Sequence, residues 1–211
     1  MTPSLPDGVE RHDFDGETGI ATRGHPEYGE ATDGEWRRWN PHRSKLGAML
    51  ALGMETGLEA DRKTLYLGAA SGTTVSHVAD FGGPTYAVEF APRPVRDLLG
   101  VARRRPNLFA LLKDARKPET YAHVVEPVDV LVQDVATRGQ ARVAALNRQF
   151  LTDDGRLLAA VKARSEDVTA DPENVFERVR TELEDSYDVL ETEQLDPYHE
   201  DHLGVVARPL E

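Results

Sequence analysis

Five residues that follow or end apolar segments of the chain could together form a reactive site. They are Gly68, Glu89, Asp114, Asp134 and Lys162. Carboxylates and an amine in one place can bind hydroxyl groups and transfer protons. Ligands of an open parallel sheet bind outside the carboxyl ends of its strands, so these positions are expected to lie together. Any one of them could instead cap a helix, as Asp114 before Ala115 would, but five in consecutive register are not explained by capping alone.

The segment from Leu65 to Thr74 is the centre of this arrangement. A short apolar strand leads into small residues, Gly68-Ala69-Ala70-Ser71-Gly72, which would let a ligand approach the backbone. Thr73 and Thr74 can then offer hydroxyls at the N-terminus of the next helix. Glu89 follows about twenty residues later, where nucleotide-binding βαβ units place the acid that binds ribose hydroxyls. The pair predicts a nucleoside-cofactor site, although small residues also serve tight strand-to-helix packing.

Strands and helices alternate from residue 64 onward, which predicts a parallel sheet covered on both faces. The segments of strand character are residues 64–68, 85–89, 108–112, 128–134 and 156–163. The helical patterns between them are residues 74–80, 92–104, 115–121 and 140–150. A further helix is predicted at residues 172–185. A hairpin of residues 187–194 and 202–207 would add an antiparallel strand to the sheet edge.

The N-terminal residues 1–55 predict a small β-rich domain, and residues 56–211 the α/β domain. Asp15-Gly16 lies between two short strand-like runs and predicts a β-hairpin. Residues 24–33 are rich in glycine, proline and acids and predict a loop.

An aromatic and basic segment, residues 35–46, follows this loop. Its tryptophans could form a core pair flanked by solvated arginines, or the segment could contact RNA phosphates and bases. Ser44 at its end is placed to cap a helix. The apolar face of that helix would consist of Leu46, Met49, Leu50 and Leu52.

The composition excludes several classes of protein. The 211 residues include no cysteine, which excludes disulfides, thiol chemistry and cysteine-based metal sites, and no metal site is predicted. No apolar run approaches the roughly 20 residues that span a membrane. The first residues lack the basic and apolar regions of a secretory signal, so a cytoplasmic location is the expectation.

The formal net charge of −12 is unusual for a protein that binds nucleic acid, because such proteins are usually basic. Lysine is scarce, and acids are concentrated in segments such as residues 177–188. We hypothesise adaptation to concentrated salt, where a Debye length of about 3 Å confines the repulsion of a polyanion to contact range. An acidic surface on an ordinary protein is the alternative, and loss of folded structure in low-salt buffer would favour the first.

Six segments closely resemble motifs of fibrillarin, a family of S-adenosylmethionine-dependent RNA ribose 2′-O-methyltransferases. The first contains Trp39-Asn40-Pro41-His42-Arg43-Ser44-Lys45-Leu46, and the second begins Tyr66-Leu67-Gly68-Ala69-Ala70-Ser71-Gly72-Thr73-Thr74. The others are residues 86–93, 114–118, 133–136 and 161–165, in the order of the family. The resemblance extends from the hairpin near residue 10 to the end of the chain.

The resemblance implies a Rossmann-like methyltransferase fold of the α/β class. Its sheet would have seven mostly parallel strands with an antiparallel last strand, next to the small N-terminal β-rich domain. The cofactor would be S-adenosyl-L-methionine, bound by Gly68, Ala69, Thr73, Thr74, Glu89, Phe90, Asp114, Ala115, Asp134, Val135, Ala136 and Thr137. The family's catalytic quartet corresponds to Lys45, Asp134, Lys162 and His202.

The chemistry of methyl transfer explains the residue types of this quartet. A ribose hydroxyl attacks well only when its proton is removed, and Lys162 is the candidate base. A lysine accepts a proton only in its neutral form, which Lys45 and the sulfonium would favour. Asp134 would oppose that form and would orient the amine. His202 could bind the ribose or be an ordinary strand-end histidine, and Arg164 could contact phosphate or simply lie on the surface.

The resemblance also implies RNA substrates, pre-rRNA and possibly tRNA, within a box C/D guide ribonucleoprotein. The implied partners are guide RNA, target RNA, a Nop-domain scaffold protein and a kink-turn-binding subunit. Such partners would supply the RNA affinity that an acidic chain lacks, because that affinity is largely electrostatic. Two alternatives stay open, namely a methyltransferase of a small molecule or protein side chain, and a non-catalytic structural subunit.

Overall fold

The N-terminal part of the chain forms a four-stranded antiparallel sheet in the computed structural model, which describes residues 5–210. Residues 1–4 and 211, the outer ends of the two predicted domains, lie outside the described residues, as does most of the segment examined for a secretory signal. The strand order is β1-β2-β4-β3. The strands are β1 Val9–Phe14, β2 Glu17–Arg23, β3 Thr32–Asp33 and β4 Trp36–Arg38.

The predicted hairpin is confirmed. Phe14 lies opposite Glu17, so Asp15 and Gly16 form a two-residue turn with φ values of 55° and 90°. Two positive φ angles are typical of a type I′ turn, whose twist matches that of the strands. The predicted loop of residues 24–33 is wrong at its end, because β3 pairs with β4 there.

A seven-stranded sheet follows in the order β10-β11-β9-β8-β5-β6-β7, and it confirms the predicted α/β fold. Its strands are β5 Thr64–Leu67, β6 Thr85–Glu89, β7 Leu108–Leu112, β8 Val128–Gln133, β9 Leu151–Lys162, β10 Tyr187–Gln194 and β11 His202–Pro209. Strands β7, β6, β5, β8 and β9 are parallel, and β11 is antiparallel to both of its neighbours. The predicted hairpin lies at one edge of the sheet and supplies its antiparallel strand, β11. Strand β11 is the more buried of the two hairpin strands and takes the inner position between β9 and β10.

The helices are α1 Lys45–Leu52, α2 Thr73–Phe81, α3 Pro92–Ala102, α4 Gln140–Asn147, the single turn α5 Ala163–Glu166 and α6 Pro172–Glu184. The predicted helix at residues 115–121 is wrong, since only a 3₁₀ turn, Pro118–Thr120, forms there. Pro118 disfavours helical backbone at the residue before it, and Lys117 has φ −129° and ψ 61°. Within residues 5–210 no helix is long and apolar enough to cross a membrane.

Two other predicted boundaries differ from the structure. The helix predicted for residues 140–150 ends at Asn147, and a separate 3₁₀ turn, Arg148–Phe150, follows it. Strand β9 begins at Leu151 instead of Arg156, because Leu151 pairs with Val128 of β8 across a register shift.

Both faces of the large sheet are buried, because alternate residues of its strands point to opposite sides. Leu65 and Leu67 of β5 pack in one hydrophobic cluster with side chains of α4 and α6. Tyr66 belongs to the other cluster, with side chains of α1, α2 and α3. That second cluster also contains Val9 and Ile20 of the N-terminal sheet, so the core is continuous across residue 55. A domain boundary at residue 55 stays a prediction.

The aromatic and basic segment is divided between the core and the surface. Trp39 is 1% exposed and stacks on His77 with ring centroids 4.9 Å apart. Trp36 is half-buried, stacks on His12 and carries the guanidinium of Arg23 over its ring. The core interpretation is therefore confirmed for Trp39, and RNA contact by the rest of the segment stays a prediction.

A buried network of charges joins the N-terminal sheet to α2. The guanidinium of Arg37 is fully buried and lies 2.7 Å from Oδ2 of Asp80 and 3.1 Å from Oε1 of Glu30. Arg105 lies 2.9 Å from Oδ1 of Asp80 and also pairs with Glu27. Removing one partner of a buried pair costs about 3–5 kcal/mol because the other charge is left uncompensated. The network therefore holds the small sheet in one orientation on the large one.

We expect His77 to make the free energy of unfolding depend on pH. Burial lowers the pKa of His77 well below its usual value, and the charges of Arg37 and Arg105 act in the same direction. Below about pH 6.5 the unfolded chain binds a proton at this residue that the folded chain does not, so stability falls as the pH falls. The contribution is about 1 kcal/mol between pH 6.5 and 5.5. Urea unfolding at pH 7.5 and 5.5 should show a smaller loss in His77→Gln than in the wild type, and equal losses would contradict this assignment.

Candidate active site

The carboxyl ends of the parallel strands meet at one edge of the sheet and enclose a cavity of about 520 Å³. This volume lies within the range of roughly 300–1,000 Å³ that is typical of small-molecule sites. Most of the predicted cofactor-binding residues line the cavity, namely Gly68, Glu89, Phe90, Asp114, Ala115, Asp134, Val135, Ala136 and Thr137. The expectation that these strand ends lie together is therefore met for Gly68, Glu89, Asp114 and Asp134, whereas Lys162 does not line the cavity.

The turn after β5 requires glycine at position 68. Gly68 has φ +82°, and an ideal Cβ at this position would lie 2.2 Å from the main-chain oxygen of Asp134. The N–H of Asp134 in turn donates to the carbonyl of Leu67 at 2.9 Å. The ends of β5 and β8 are thus in direct contact beside the cavity. No residue with a side chain could replace Gly68 without moving this backbone.

The carboxylate of Glu89 is held by the backbone. It is 8% exposed, and its Oε2 accepts the N–H of Ala70 at 3.0 Å while its Oε1 accepts the N–H of Ala91 at 2.8 Å. Ala70 has φ 47°, an uncommon conformation for a residue with a side chain. Each carboxylate oxygen has a second lone pair, so Glu89 can still accept hydrogen bonds from hydroxyl groups in the cavity.

Phe90 and Asp114 also line the cavity. The ring of Phe90 is 68% exposed, and its large apolar surface is open to the solvent. Asp114 accepts hydrogen bonds from the guanidinium of Arg116 at 2.9 and 2.8 Å, and Arg116 lowers the pKa of that carboxyl. The alternative that Asp114 caps a helix is wrong because none begins at Ala115; its carboxylate accepts the N–H of Arg116 in a turn instead.

Three predicted cofactor residues do not line this cavity. Ala69 is buried. Thr73 lines a separate cavity of about 160 Å³ next to Trp39 and His77. The expectation that the hydroxyl of Thr74 is offered to a ligand is wrong, because that hydroxyl is buried and bonds to Oγ of Ser44 at 3.1 Å.

Ser44 caps α1, as predicted, and thereby positions Lys45 at the first residue of the helix. Its Oγ accepts the N–H of Gly47 at 2.9 Å and the indole N–H of Trp39 at 2.9 Å, in addition to the hydroxyl of Thr74. On the predicted apolar face Leu46, Met49 and Leu50 are buried, whereas Leu52 is only partly buried. The helix N-terminus is therefore anchored to the core directly beside Lys45.

Lys45 forms an ion pair with Asp134 across the edge of the sheet. The Nζ of Lys45 lies 2.9 Å from Oδ1 and 3.1 Å from Oδ2 of Asp134, and both side chains are about three-quarters buried. In residues 5–210 no ion pair joins Lys162 to Asp134. The expectation that Asp134 orients the amine of Lys162 is therefore corrected, because α1 brings Lys45 to this carboxylate instead.

Lys162 and His202 are paired across strands β9 and β11. Nδ1 of His202 lies 2.6 Å from the carbonyl oxygen of Glu200 and donates to it, while Nε2 is buried and has no hydrogen-bond partner among the described residues. Burial lowers the pKa of His202; the Glu200 carbonyl opposes this effect, and the charges of Lys45 and Lys162 reinforce it. In the neutral form of the ring, which this shift favours, Nε2 of His202 is an unused acceptor.

Arg164 is engaged within its own part of the chain. Its Nε lies 2.7 Å from Oδ2 of Asp201, and one of its terminal nitrogens donates to the carbonyl of Val168 at 3.2 Å. The side chain is 44% exposed. These contacts favour a role in folding the segment after β9, and contact with phosphate stays a prediction.

Three residues at the site were not identified from the sequence. Arg116 forms an ion pair with Asp114, and its position two residues after an aspartate is a local sequence signal for such a pair. Tyr28 donates its hydroxyl to the carbonyl of Ser71 in the glycine turn. Gln140 binds the main chain of Lys162. Tyr28 and Gln140 act over long separations in sequence, so no local pattern indicates them.

The sequence model of the Fibrillarin family matches residues 10–210. The chain belongs to the fibrillarin family. Among curated fibrillarins, the fibrillarin-like rRNA/tRNA 2′-O-methyltransferase of Haloarcula marismortui is 78% identical over 206 residues, which cover 98% of each chain.

Solved fibrillarin structures have the same fold. Fibrillarin in a complex with Nop5p superposes with a TM-score of 0.90 at 40% identity, over 98% of this chain and 99% of that chain. Aeropyrum pernix fibrillarin with natively bound S-adenosyl-L-methionine superposes with a TM-score of 0.83 at 44% identity, over 94% and 97% of the two chains.

The Ser44 contacts predict a stability effect. Ser44→Ala removes the acceptor of the Gly47 N–H, the Trp39 indole N–H and the Thr74 hydroxyl, of which the indole and hydroxyl groups are buried. We expect the free energy of unfolding to fall by about 1–3 kcal/mol, measured by urea denaturation. Ser165→Ala is the control, because Ser165 lies outside this network, and it should leave stability within about 0.5 kcal/mol. A Ser44→Ala variant as stable as the control would contradict the role of Ser44.

Proposed function

We propose that the chain is an S-adenosylmethionine-dependent RNA ribose 2′-O-methyltransferase that acts on rRNA and possibly tRNA. The observation that carries this proposal is the position of the buried Glu89 carboxylate in a cavity that also borders the Lys45–Asp134 ion pair. Membership of the fibrillarin family and the RNA methyltransferase activity named for its relatives support the same conclusion.

The cavity fits a nucleoside cofactor in both shape and chemistry. Glu89 presents acceptors, fixed by two backbone N–H groups, that would hold the two ribose hydroxyls. The exposed ring of Phe90 and the turn at Asp114-Ala115 would hold the adenine. Gly68 and the segment Asp134–Thr137 would line the remainder. Each predicted cofactor-binding residue that lines the cavity is therefore proposed to contact the cofactor.

Lys162 is the proposed proton acceptor for the ribose 2′-hydroxyl. When bound, S-adenosylmethionine supplies an electrophilic methyl group on a positively charged sulfur. Asp134 holds Lys45 in place with two short contacts. The unpaired Nε2 of His202 can accept a hydrogen bond from the target ribose. These groups together would orient the hydroxyl and remove its proton.

The chain is proposed to act as the catalytic subunit of a box C/D guide ribonucleoprotein, with a Nop-domain scaffold protein, a kink-turn-binding subunit and guide RNA. The fold similarity to fibrillarin in its complex with Nop5p supports the scaffold partner. The net charge of −12 supports a division of labour in which the partners supply most of the affinity for RNA. A cytoplasmic location is proposed with it, since guide-directed modification of rRNA and tRNA would take place there.

Glu89→Gln should weaken cofactor binding. The substitution keeps the size of the side chain but removes its charge and one acceptor, which should raise the Kd for S-adenosylmethionine by about tenfold or more. Isothermal titration calorimetry measures this effect on the chain alone. Glu126→Gln removes the same charge from a surface ion pair with Lys63 and should leave the Kd unchanged. Equal affinities of both variants would contradict the assigned role of Glu89.

Lys162→Ala should abolish methylation without loss of the cofactor. In an assembly with scaffold protein, kink-turn-binding subunit, guide RNA, target RNA and labelled S-adenosylmethionine, we expect the rate to fall about 100-fold or more. The Kd for S-adenosylmethionine should stay within about threefold, because Lys162 is absent from the cavity wall. Lys117→Ala, at an exposed lysine, is the control. Full activity in Lys162→Ala would remove Lys162 as the base, and label on protein or small molecules instead of RNA would refute the proposed substrate.

A further inference from the structure

Gln140, the first residue of α4, is 1% exposed and binds both main-chain polar groups of Lys162. Its Oε1 accepts the N–H of Lys162 at 2.9 Å, and its Nε2 donates to the carbonyl of Lys162 at 3.1 Å. This pair of hydrogen bonds resembles the pairing that a neighbouring strand would provide.

These hydrogen bonds take the place of a neighbouring strand at the end of β9. On the side of β8, the last pair with β9 is Gln133 with Ala159, so β9 extends beyond its neighbour before it reaches Lys162. On the other side Lys162 is paired with His202 of β11. The amide of Gln140 therefore takes the position of the missing strand and holds the end of β9 on that side.

Glu166 in turn fixes the amide of Gln140. Oε1 of Glu166 accepts the main-chain N–H of Gln140 at 2.7 Å and its side-chain Nε2–H at 3.0 Å, while Oε2 accepts the N–H of Gly139 at 3.0 Å. A carboxylate accepts only, so the amide nitrogen must face Glu166 and the amide oxygen must face the N–H of Lys162. The carboxylate also caps α4, whose N-cap residue Gly139 has no side chain for this purpose.

Gln140 is also connected to the loop that lines the cavity. Nε2 of Gln133 donates to the main-chain carbonyl of Gln140 at 2.9 Å, which closes the loop of residues 134–139 between β8 and α4. That loop carries Asp134 and the cavity residues 135–137. Gln140 thus joins the strand end that carries Lys162 to the loop that carries Asp134.

We propose that Gln140 is a positioning residue for methyl transfer, which places the amine of Lys162 through its main chain and is itself oriented by Glu166. The inference rests on the proposed function and deepens it. Small displacements of a reacting group, of about 1 Å, can lower a rate about 100-fold. The side chain of Gln140 bonds to Lys162 and to Glu166, whereas its main chain bonds to Glu166 and Gln133, so a substitution of the side chain leaves the main-chain bonds in place.

Gln140→Met removes both side-chain bonds to Lys162, together with the side-chain bond to Glu166, and keeps the main-chain bonds to Glu166 and Gln133. In the assembled ribonucleoprotein we expect the rate at saturating S-adenosylmethionine and RNA to fall about 10- to 100-fold, while the Kd for S-adenosylmethionine changes less than about threefold. The matched control is Gln149→Met, whose amide binds only the nearby carbonyl of Leu146 on the surface and should change neither value.

Hydrogen exchange of the Lys162 amide gives a readout that does not depend on activity. Because Oε1 of Gln140 is the acceptor of this N–H, its exchange in the chain alone should be at least about tenfold faster in Gln140→Met and unchanged in Gln149→Met. Should Gln140→Met fail to fold, Glu166→Leu tests the same arrangement. It removes the acceptor of the side-chain amide and main-chain N–H of Gln140 and of the Gly139 N–H, and it should lower the saturated rate about threefold or more.

The outcomes distinguish this inference from the proposed function. An unchanged saturated rate in Gln140→Met with an active wild type, or unchanged exchange of the Lys162 amide, overturns the positioning role alone. If Gln140→Met is slower only at low cofactor concentration and reaches the wild-type rate at saturation, Gln140 has a structural role. This outcome also overturns the inference. A wild-type assembly that methylates no RNA overturns the proposed function, and the positioning role for methyl transfer with it.

Discussion

The contact between Gly68 and the carbonyl of Asp134 is the constraint on which the geometry of the site depends. No Cβ can be placed between them, since it would approach the Asp134 oxygen to 2.2 Å. Strands β5 and β8 therefore end side by side, and the chain turns away from the sheet in opposite directions after each of them. The cavity is the space between these turns, and the carboxylates of Glu89 and Asp134 border it because their strands end at the same level.

The small N-terminal sheet belongs to the site as much as the large one does. Its last strand leads through Trp39 to Ser44, which caps α1 and presents Lys45 to Asp134. Tyr28, between its strands, donates to the carbonyl of Ser71 in the glycine turn. The buried charges around Asp80 hold the two sheets together. The large sheet alone would therefore lack both the lysine partner of Asp134 and the support of the glycine turn.

Two of the four buried side-chain atoms that lack hydrogen bonds among the described residues lie near the proposed catalytic end. In the part of the chain that the structure describes, Nε2 of His202 and Oε1 of Gln133 are buried and lack hydrogen bonds. Such groups are costly, by about 1–3 kcal/mol each, and in folded proteins they call for a specific explanation. For His202 the proposed function supplies one, because a ribose hydroxyl would satisfy the nitrogen. For Gln133 the cost is offset by the bond of its amide nitrogen to the carbonyl of Gln140.

Most helices and strands, and the residues that end the parallel strands, can be predicted from the sequence. Apolar periodicity, the Asp15-Gly16 turn and the Ser44 cap act within a few residues, so a local pattern contains the physical cause. The wrong prediction of a helix at residues 115–121 has a local cause as well, because Pro118 disfavours helical backbone at Lys117.

Which side chains meet depends on tertiary packing. Lys45 and Asp134 are 89 residues apart, and their ion pair depends on how α1 packs over the sheet. The buried hydroxyl of Thr74 and the two bonds from Gln140 to Lys162 likewise follow from packing and strand register. Such pairings result from the sum of many distant contacts, and no segment of the sequence contains that sum.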